Sequence, residues 1–596
     1  MAGDGDQVYE FKGFRLEAAQ RRLLHNGQPV PLKPKILDLL LLLVQMRGRL
    51  VEKDELMKEI WPNTIVEENN ITVSMSILRK TLGEDRSGRQ FIETVPGRGY
   101  RFVAPVTIVS AEETSSDEIK VPASFAASVE EPEFREAPID SLAVLPLRNI
   151  SKDPNSEYLS EGITESIINT LSKISKFRVL APSTVFRFKG KDVDPQEIGT
   201  LLKVRAVMLG RVMQLGEKLV IRSELVKVAD GSLIWGEQYD RTLSDLLATQ
   251  EEIAKAITES LKLRLTLQDQ IRLSKRYTAN TAAYNLYLRG RYFWNRYDKE
   301  WVLKSIEAFE QAIEIDASYA LAYTGIADAY FRLSNIHSPP LEVLPKAKEA
   351  ALKAVEIDGE LAEAHSSLGL LRVYYDHDWS AAEREFSRAL ELNPDLTLAH
   401  QRYGTYLKLM GRFDESLAHY KQALELDPFS LQININLATI HYLKGDPDTA
   451  IAHLKKTLEL EPHYMPTHFV LGNAYIQQRN WEAAISEFEL IYRRDDEAYL
   501  ALGFLGYAHA MAGRRSEAES LRNILKDISL RKYVSPYGLI LICVALGEID
   551  QAMELLEQLY AERNDWLVWL RVSPKLKPLH SDPRFRDLLR RIGFPD

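Results

Sequence analysis

Asn69, Thr72, Val73, Ser76, Ile77, Arg79 and Lys80 sit in one stretch, EENNITVSMSILRKTLGED, whose apolar residues Ile71, Met75, Leu78 and Leu82 recur at steps of four, three and four. That spacing stacks the apolar side chains on one side of a helix. At about 100° per residue, Asn69, Val73, Ser76, Ile77 and Lys80 fall on the opposite face, with Thr72 and Arg79 on its flanks. A polar spacer then leads to FIETVPGRGYRFV, a predicted hairpin with Gly97 and Gly99 on either side of Arg98. The chemistry open to this set is recognition of a nucleic-acid duplex. Asn69, Thr72 and Ser76 can hydrogen-bond base edges or phosphates, whereas Val73 and Ile77 can touch only thymine methyl groups. Arg79 and Lys80 suit phosphates, and Arg98 at a hairpin tip suits a phosphate or the minor groove. The competing reading buries Val73 and Ile77 under the preceding helix.

The elements needed to position these residues are legible upstream. Residues 9–16 and 23–30 read as a short sheet. A first helix is predicted over 34–47, with Pro34 in its first turn and Gly48 just past its end. A second, over 54–61, stops at Pro62. Taken in order with the third helix and VPGRGYRF, residues 9–106 resemble the winged-helix effector domain of the OmpR/PhoB type, in the version found in CadC- and ToxR-like bacterial regulators. The resemblance covers about a sixth of the chain and implies sequence-specific binding to double-stranded promoter DNA. PhoB-type members carry arginines where this chain has Ser76 and Ile77, so guanine readout from those positions does not carry over.

Composition sets the frame around this domain. The chain of 596 residues is too long for one core, and 45% hydrophobic content is that of an ordinary globular protein. Its net charge is −10, yet residues 1–108 hold 16 Lys+Arg against 14 Asp+Glu, a balance of +2 that leaves −12 for the rest. So mild a basic surface needs several subunits or a good site to hold DNA, because non-specific affinity comes from phosphate neutralisation. Cys543 is the one cysteine, which excludes an intrachain disulfide and gives no sign of an oxidising compartment. The first residues lack the basic and apolar regions of a signal peptide, and no apolar run approaches the ~20 residues of a membrane span. CadC- and ToxR-like members usually place a membrane helix after the winged domain. Here residues 109–139 are rich in Glu, Asp, Ser, Ala and Pro, the composition of a disordered acidic linker. A cytoplasmic protein with no membrane contact is expected.

From Ser141 strands alternate with helices. SLAVLPL reads as a buried strand, 157–174 and 195–202 as helices, 206–214, 218–227 and 232–239 as successive strands, and 246–263 as a closing helix, which together indicate an α/β sheet domain. Through LAVLPLRNIS, EYLSEGITESIINTL, FKGKDVDPQEIG and LIWGEQYDRTLSDLLATQEEIAKAI, the stretch resembles the TolB N-terminal or FlgO-like domain. Ligands of open α/β sheets sit beyond the carboxyl ends of strands, so Arg148, Asn149 and Ser151 form a candidate ligand loop. The alternative is a loop that caps the next helix.

The second half is periodic. Gly290, Gly325, Gly369, Gly404, Ala438, Gly472 and Gly506 follow one another at intervals of 35, 44, 35, 34, 34 and 34, and Pro394, Pro428 and Pro462 close successive units. This is the tetratricopeptide pattern, with a degenerate eighth unit around Ile540 and Gly547. The long interval places an insertion, read as a loop, near 335–344. Such arrays form a superhelix whose concave groove holds a protein or peptide. The tail from Ser573 reads as a capping helix.

No phosphate loop, zinc-protease helix or nucleophile elbow is present. Equivalent histidines in neighbouring units, His419 and His453, could stack, but nothing completes a ligand set. Neither cofactor nor metal is expected, and no enzyme. The expected fold class is multidomain α+β. It comprises a winged helix-turn-helix over 1–108, the linker, an α/β sheet domain over 140–270, and an all-α tetratricopeptide solenoid over 271–596. The function these imply is a DNA-binding transcriptional regulator that receives its signal or partners through the later domains, with self-association one route by which two winged domains could reach adjacent half-sites. The alternative is an interaction scaffold built on the repeats.

Overall fold

The computed structural model describes residues 8–17, 22–25, 28–30, 32, 34–60, 69–82, 91–95, 98–109, 138–151, 156–174, 176–263, 265–296, 298–336, 338–494 and 498–594. They divide into two units, Met1–Phe134 and Arg135–Asp596. The linker expected over 109–139 lies outside the described residues except at its ends.

The first unit runs β1 (Val8–Phe11), β2 (Phe14–Glu17), β3 (Arg22–His25), β4 (Gln28–Val30), α1 (Pro34–Gln45), β5 (Leu50–Glu52), α2 (Lys53–Ile60), α3 (Asn69–Leu82), β6 (Ile92–Val95), β7 (Gly99–Phe102) and β8 (Thr107–Val109). Each extended piece expected at 9–16 and 23–30 is in fact a hairpin. Lys12 and Gly13 both take positive φ, 44° and 86°, the turn whose twist matches its flanking strands. The resulting antiparallel sheet has the order β4-β3-β2-β1-β8, and β5, β7 and β6 form a second, three-stranded sheet. Ile71, Met75, Leu78 and Leu82 of α3 are all buried in one core with Leu39, Leu40 and Leu43 of α1. The rings of Phe11, Phe14, Phe91 and Phe102 close that core from the sheet side.

The second unit opens with β9 (Ser141–Val144), β10 (Arg148–Asn149), α4 (Glu157–Leu171), β11 (Arg178–Val179), α5 (Pro182–Val185), α6 (Pro195–Leu201), β12 (Ala206–Leu215), β13 (Lys218–Lys227), β14 (Leu233–Thr242), α7 (Leu246–Ser260) and α8 (Leu267–Ser274). The sheet order is β11-β9-β12-β13-β14, with β10 beside β12. β9 runs parallel to both its neighbours, and β12, β13 and β14 form an antiparallel meander. Helix α6 and this sheet meet at Gly199, where an added Cβ would lie 2.2 Å from the Val228 side chain.

Helix pairs follow: α9 (Thr281–Trp294) with α10 (Lys299–Ile315), α11 (Ala320–Ile336) with α12 (Pro340–Ile357), α13 (Ala362–Leu371) with α14 (Trp379–Leu392), α15 (Thr397–Leu409) with α16 (Phe413–Leu426), α17 (Leu431–Leu443) with α18 (Pro447–Leu460), α19 (Met465–Gln477) with α20 (Trp481–Arg494), α21 (Tyr499–Met511) with α22 (Arg515–Ser529), and α23 (Tyr537–Leu546) with α24 (Ile549–Ala561). The periodic small residues let an aromatic ring of the second helix lie on the backbone of the first. An added Cβ would come within 2.4 Å of Phe309 at Gly290, 2.8 Å of Phe386 at Gly369 and 2.9 Å of Tyr420 at Gly404. Gly325 differs, because it meets Phe309 of the preceding pair. The insertion read as a loop near 335–344 instead lengthens helices. α11 reaches Ile336 and α12 starts at Pro340, a position where proline's fixed φ and missing N–H are no handicap.

Beyond α24 the chain does more than cap the array. Turns at Asp565–Trp569 and Pro574–Leu579 and helix α25 (Pro583–Arg591) lead it back to α14, where Trp379 stacks on Phe594 and donates to the Ile592 carbonyl. Lys575 on the way is buried and donates to Tyr442 Oη of α17 and Asn473 Oδ1 of α19.

The sheet domain and the repeats, expected as separate domains, form one unit. The Ala181 N–H donates to the Leu426 carbonyl at 2.8 Å, and Ser183 and Thr184 donate to the Asp427 carboxylate. The groove expected to hold a partner is therefore partly filled by the chain's own segments.

Candidate nucleic-acid interface and interdomain cleft

Burial of Ile71, Met75, Leu78 and Leu82 fixes which side of α3 turns inward. Asn69, Thr72, Val73, Ser76, Ile77 and Lys80 belong to the α3 backbone, and their side chains lie outside the described residues. Arg79 is placed differently from a side chain reaching out for a phosphate. Its guanidinium donates to the Ile92 carbonyl at 3.0 Å and to Thr94 Oγ1 at 2.6 Å, and faces the Tyr100 ring at 5.9 Å. It ties α3 to the β6–β7 hairpin, so wing and helix move as one.

Arg98 stands at the hairpin tip, exposed, and among the described residues it has no ion-pair partner. Its backbone is held from both sides, donating to Val95 and accepting from Lys53 of α2. Gly97 lies outside the described residues. Gly99 is required by close approach, since a Cβ there would sit 2.1 Å from the Val51 carbonyl oxygen of β5. Elsewhere on the unit some basic residues are paired, Arg49 with Glu55 and Arg101 with Glu93, while Arg47 and Lys58 are exposed like Arg98. Arg22 beside Glu17 holds that carboxyl below its usual range. An unpaired cation at the wing tip suits an anionic partner.

The described residues of the candidate ligand loop contact neighbouring segments, and residues 152–155 lie outside the described residues. Arg148 donates to the Lys191 carbonyl and Asp192, Asn149 to Glu157, and Ser151 Oγ accepts from the Gln214 N–H. Arg148 and Asn149 are strand residues paired with Arg211 and Val212. The Arg148 side chain is still 47% exposed.

A cleft of about 1080 Å³ lies instead where α4 and the α5 region face α9, α11, α15 and α17. Two charge pairs are buried along it. Arg291 meets Glu165 at 2.5 Å, and Arg402 meets Asp328 at 2.6 Å with Ser367 donating to the same carboxylate. Burial opposes the Arg291 charge, but Glu165 outweighs it and raises the affinity for the proton. Burial likewise raises Tyr284 and Tyr287, keeping both as neutral hydroxyls at physiological pH. Sequence reasoning missed this cleft because its walls are more than a hundred residues apart in the chain. Helix α9 carries two arginines, Arg289 and Arg291, and nothing local tells which of them turns inward.

His419 and His453 do not stack on each other. His419 Nδ1 lies 3.0 Å from His400 Nδ1, and His453 Nε2 lies 2.9 Å from Asn434 Oδ1, each partner belonging to the first helix of its own pair. His365 and His468 make the matching contact with Glu385 and Glu487. These side chains latch the two helices of a unit. Among the described residues no group of three or more His, Cys, Asp or Glu is placed to hold a metal ion, and no helix is long and apolar enough to cross a membrane.

Fold and interface define a class. Residues 27–102 match the family described as "Transcriptional regulatory protein, C terminal", and the chain carries a winged-helix DNA-binding domain of the OmpR/PhoB type. Residues 138–256, which in sequence resembled the TolB N-terminal type, match "HilA/YgeH-like transcriptional regulator, second domain", and 394–461 and 441–503 match tetratricopeptide repeats.

Among particular proteins, the chain is similar to the transcriptional regulator HilA of Salmonella typhi, 25% identical over 401 residues, 66% of each chain. It is 38% identical to the transcriptional activator CadC of Escherichia coli over 93 residues, 15% of this chain and 18% of CadC. A Rhizobium meliloti protein named for adenylate cyclase is 30% identical over 232 residues, 39% of this chain and 40% of its own. The chain thus spans less than two thirds of these curated relatives. The solved DNA-binding domain of E. coli CadC aligns with 17% of this chain and 94% of its own, at 33% identity and a TM-score of 0.16.

Proposed function

We propose that this chain is a sequence-specific, DNA-binding transcriptional regulator without catalytic activity, acting in the cytoplasm. The observation that carries the reading is the pairing of a helix buried on one face with Arg98, exposed and without an ion-pair partner among the described residues, on the hairpin beside it. Helices presented this way enter the major groove while flanking cations hold the backbone. Asn69, Thr72, Val73, Ser76, Ile77 and Lys80 supply the groove contacts, Arg98 the wing contact, and Arg79 the rigidity between them. The winged domain spans 1–108 and the linker 109–139. The sheet domain over 140–270 and the repeats over 271–596 act together as the input module.

The cleft between α4 and the repeats is where a signal enters. It has the size of a small-molecule site and is lined by the paired Arg291–Glu165 and Arg402–Asp328 as well as by Lys173, Glu363 and Asp395, so an occupant meets charge of both signs beside the α4–α9 contact. A protein or peptide partner engages the part of the groove that α4 and the C-terminal segment leave open. The occupied groove weighs against a pure scaffold, which would keep that surface clear.

Selection of random duplexes by the full chain, near physiological salt of about 0.15 M, tests the reading. Enrichment of one motif, lost when Val73, Ile77 and Arg98 are changed together, is the expected result. No enrichment would overturn it.

A further inference from the structure

The two edges of the sheet in the second unit are treated differently. At the β11 edge the repeats cover the strand: Arg178 donates to the Glu425 carbonyl and the Ala181 N–H to that of Leu426. At the other edge β14 runs for ten residues, Leu233–Thr242, and pairs only with β13. It is longer than most strands, contains no proline or lysine, and its one irregularity sits at the start, opposite Leu225/Val226. Natural edges are guarded by short length, charged side chains, proline or bulges, because unpaired strands template pairing with another chain. β14 carries charges of both signs, Glu237, Asp240 and Arg241, which repel a strand in most registers and attract it only where opposite signs meet.

The ladder shows which groups are left over. Leu243 N–H donates to the Glu217 carbonyl, and the register continues as Leu219 with Arg241, Ile221 with Tyr239 and Ser223 with Glu237. The odd-numbered residues therefore exchange hydrogen bonds with β13, and Gly236, Gln238 and Asp240 direct their backbone groups outward, away from the sheet. Gly236, Glu237, Gln238, Asp240, Arg241 and Thr242 are all exposed.

We propose that β14 pairs antiparallel with β14 of a second copy of this chain, joining two sheets into one across a twofold axis. Charge selects the register. With Tyr239 opposite Tyr239 of the second copy, Glu237 faces Arg241 and Gln238 faces Asp240, each contact made twice. Within one chain Arg241 reaches Glu252 at 3.1 Å and Asp240 reaches Lys218 at 3.5 Å, exposed pairs that the new contacts extend or replace. Centring the axis on residue 237 or 240 would set Glu237 or Asp240 against its own counterpart, which like charges oppose. The surface is self-complementary, as an isologous contact requires. It also presents two winged domains at once, so each gains from the other's hold on DNA. The dimer is argued from the strand alone and does not rest on the DNA reading.

Sedimentation of the full chain without DNA tests this. The expected result is a concentration-dependent dimer. Gln238→Pro removes an outward N–H and leaves the β13 ladder intact, and is expected to give a monomer with an unchanged unfolding midpoint. Arg241→Glu should weaken dimerisation by tenfold or more. Adding Glu237→Arg to it, which restores opposite charges in the same register, should recover the dimer. This charge swap reports on the contact even if the proline variant folds poorly. A monomer at all concentrations, or a dimer indifferent to both Gln238→Pro and the charge reversal, overturns the proposal. Failure to bind DNA with the dimer intact would overturn the function proposed above and leave this contact standing.

Discussion

Arg291 donates through Nε and a terminal nitrogen to the same oxygen of Glu165, at 3.0 and 2.5 Å, across the line where α9 meets α4. Their side chains are 21% and 8% exposed, so Glu165 is cut off from water and Arg291 keeps only a small share of its hydration. Removing one partner strands the other, at a cost of about 3–5 kcal/mol, whereas an apolar pair of similar volume is tolerated far better. Arg291→Ala should therefore lower the urea midpoint of the second unit sharply. Arg291→Met combined with Glu165→Leu should lose much less. Equal losses in the single and double variants would mean that the pair does not hold the seam.

Arg79 and Arg98 make opposite predictions from one residue type. Arg98→Ala should weaken binding to every duplex alike and reduce the salt slope by about one. Arg79→Ala removes hydrogen bonds to Ile92 and Thr94 rather than a phosphate contact. It should lower the unfolding midpoint of the first unit, by about 1–3 kcal/mol for a charged donor, and leave the salt slope nearly unchanged. A slope that falls in Arg79→Ala as it does in Arg98→Ala would return Arg79 to the phosphate role.

That contrast marks the reach of the sequence. The steps between Ile71, Met75, Leu78 and Leu82 are local and gave α3 with the residues of its buried face. The repeat spacing did the same for most helix pairs. The partners of Arg79 in the hairpin were not legible because they belong to a strand folded against it, and periodicity ranks a side chain by angle, not by what packs there. The insertion after Gly325 could not be told from a loop, since Pro339 and Pro340 begin a helix as readily as they break one. The cleft and the return of residues 565–594 onto α14 depend on contacts such as Trp379 with Ile592, which no local pattern encodes.

His400 and His419 face each other through Nδ1 atoms 3.0 Å apart. Burial lowers both, His419 to about 4, with His400 adding to the shift. Below the ordinary value of 6.5 the unfolded chain takes up protons that the folded pair refuses, so stability falls as pH falls toward 4. His365 and His468 run the other way. Hydrogen bonds that they donate to the Glu385 and Glu487 carboxylates raise them, and they add stability below 6.5 that is lost as pH rises through their folded values. The loss of urea midpoint between about pH 7.5 and pH 5 should therefore be smaller in His419→Gln than in the parent chain. An equal loss would show that the pair is protonated without resistance.

Lys408 and Lys575 are buried beside neutral oxygens only, Asn436 for the first, Tyr442 and Asn473 for the second. Burial pushes both down to about 7. From there to 10.5, the unfolded lysine holds a proton that the folded one has released, so stability climbs with pH across that window. Lys575 also anchors the returning segment in the groove between α17 and α19. Lys575→Met keeps most of the volume, removes the titration, and leaves Tyr442 and Asn473 short of one donor at about 1 kcal/mol. Unfolding midpoints between about pH 7 and pH 9 should rise less steeply in Lys575→Met than in the parent chain. Hydrogen exchange around Pro574–Leu579 should stay protected, because Leu576 and Leu579 are buried there without the lysine's help. A parallel rise in both proteins would mean that Lys575 stays charged in the folded state.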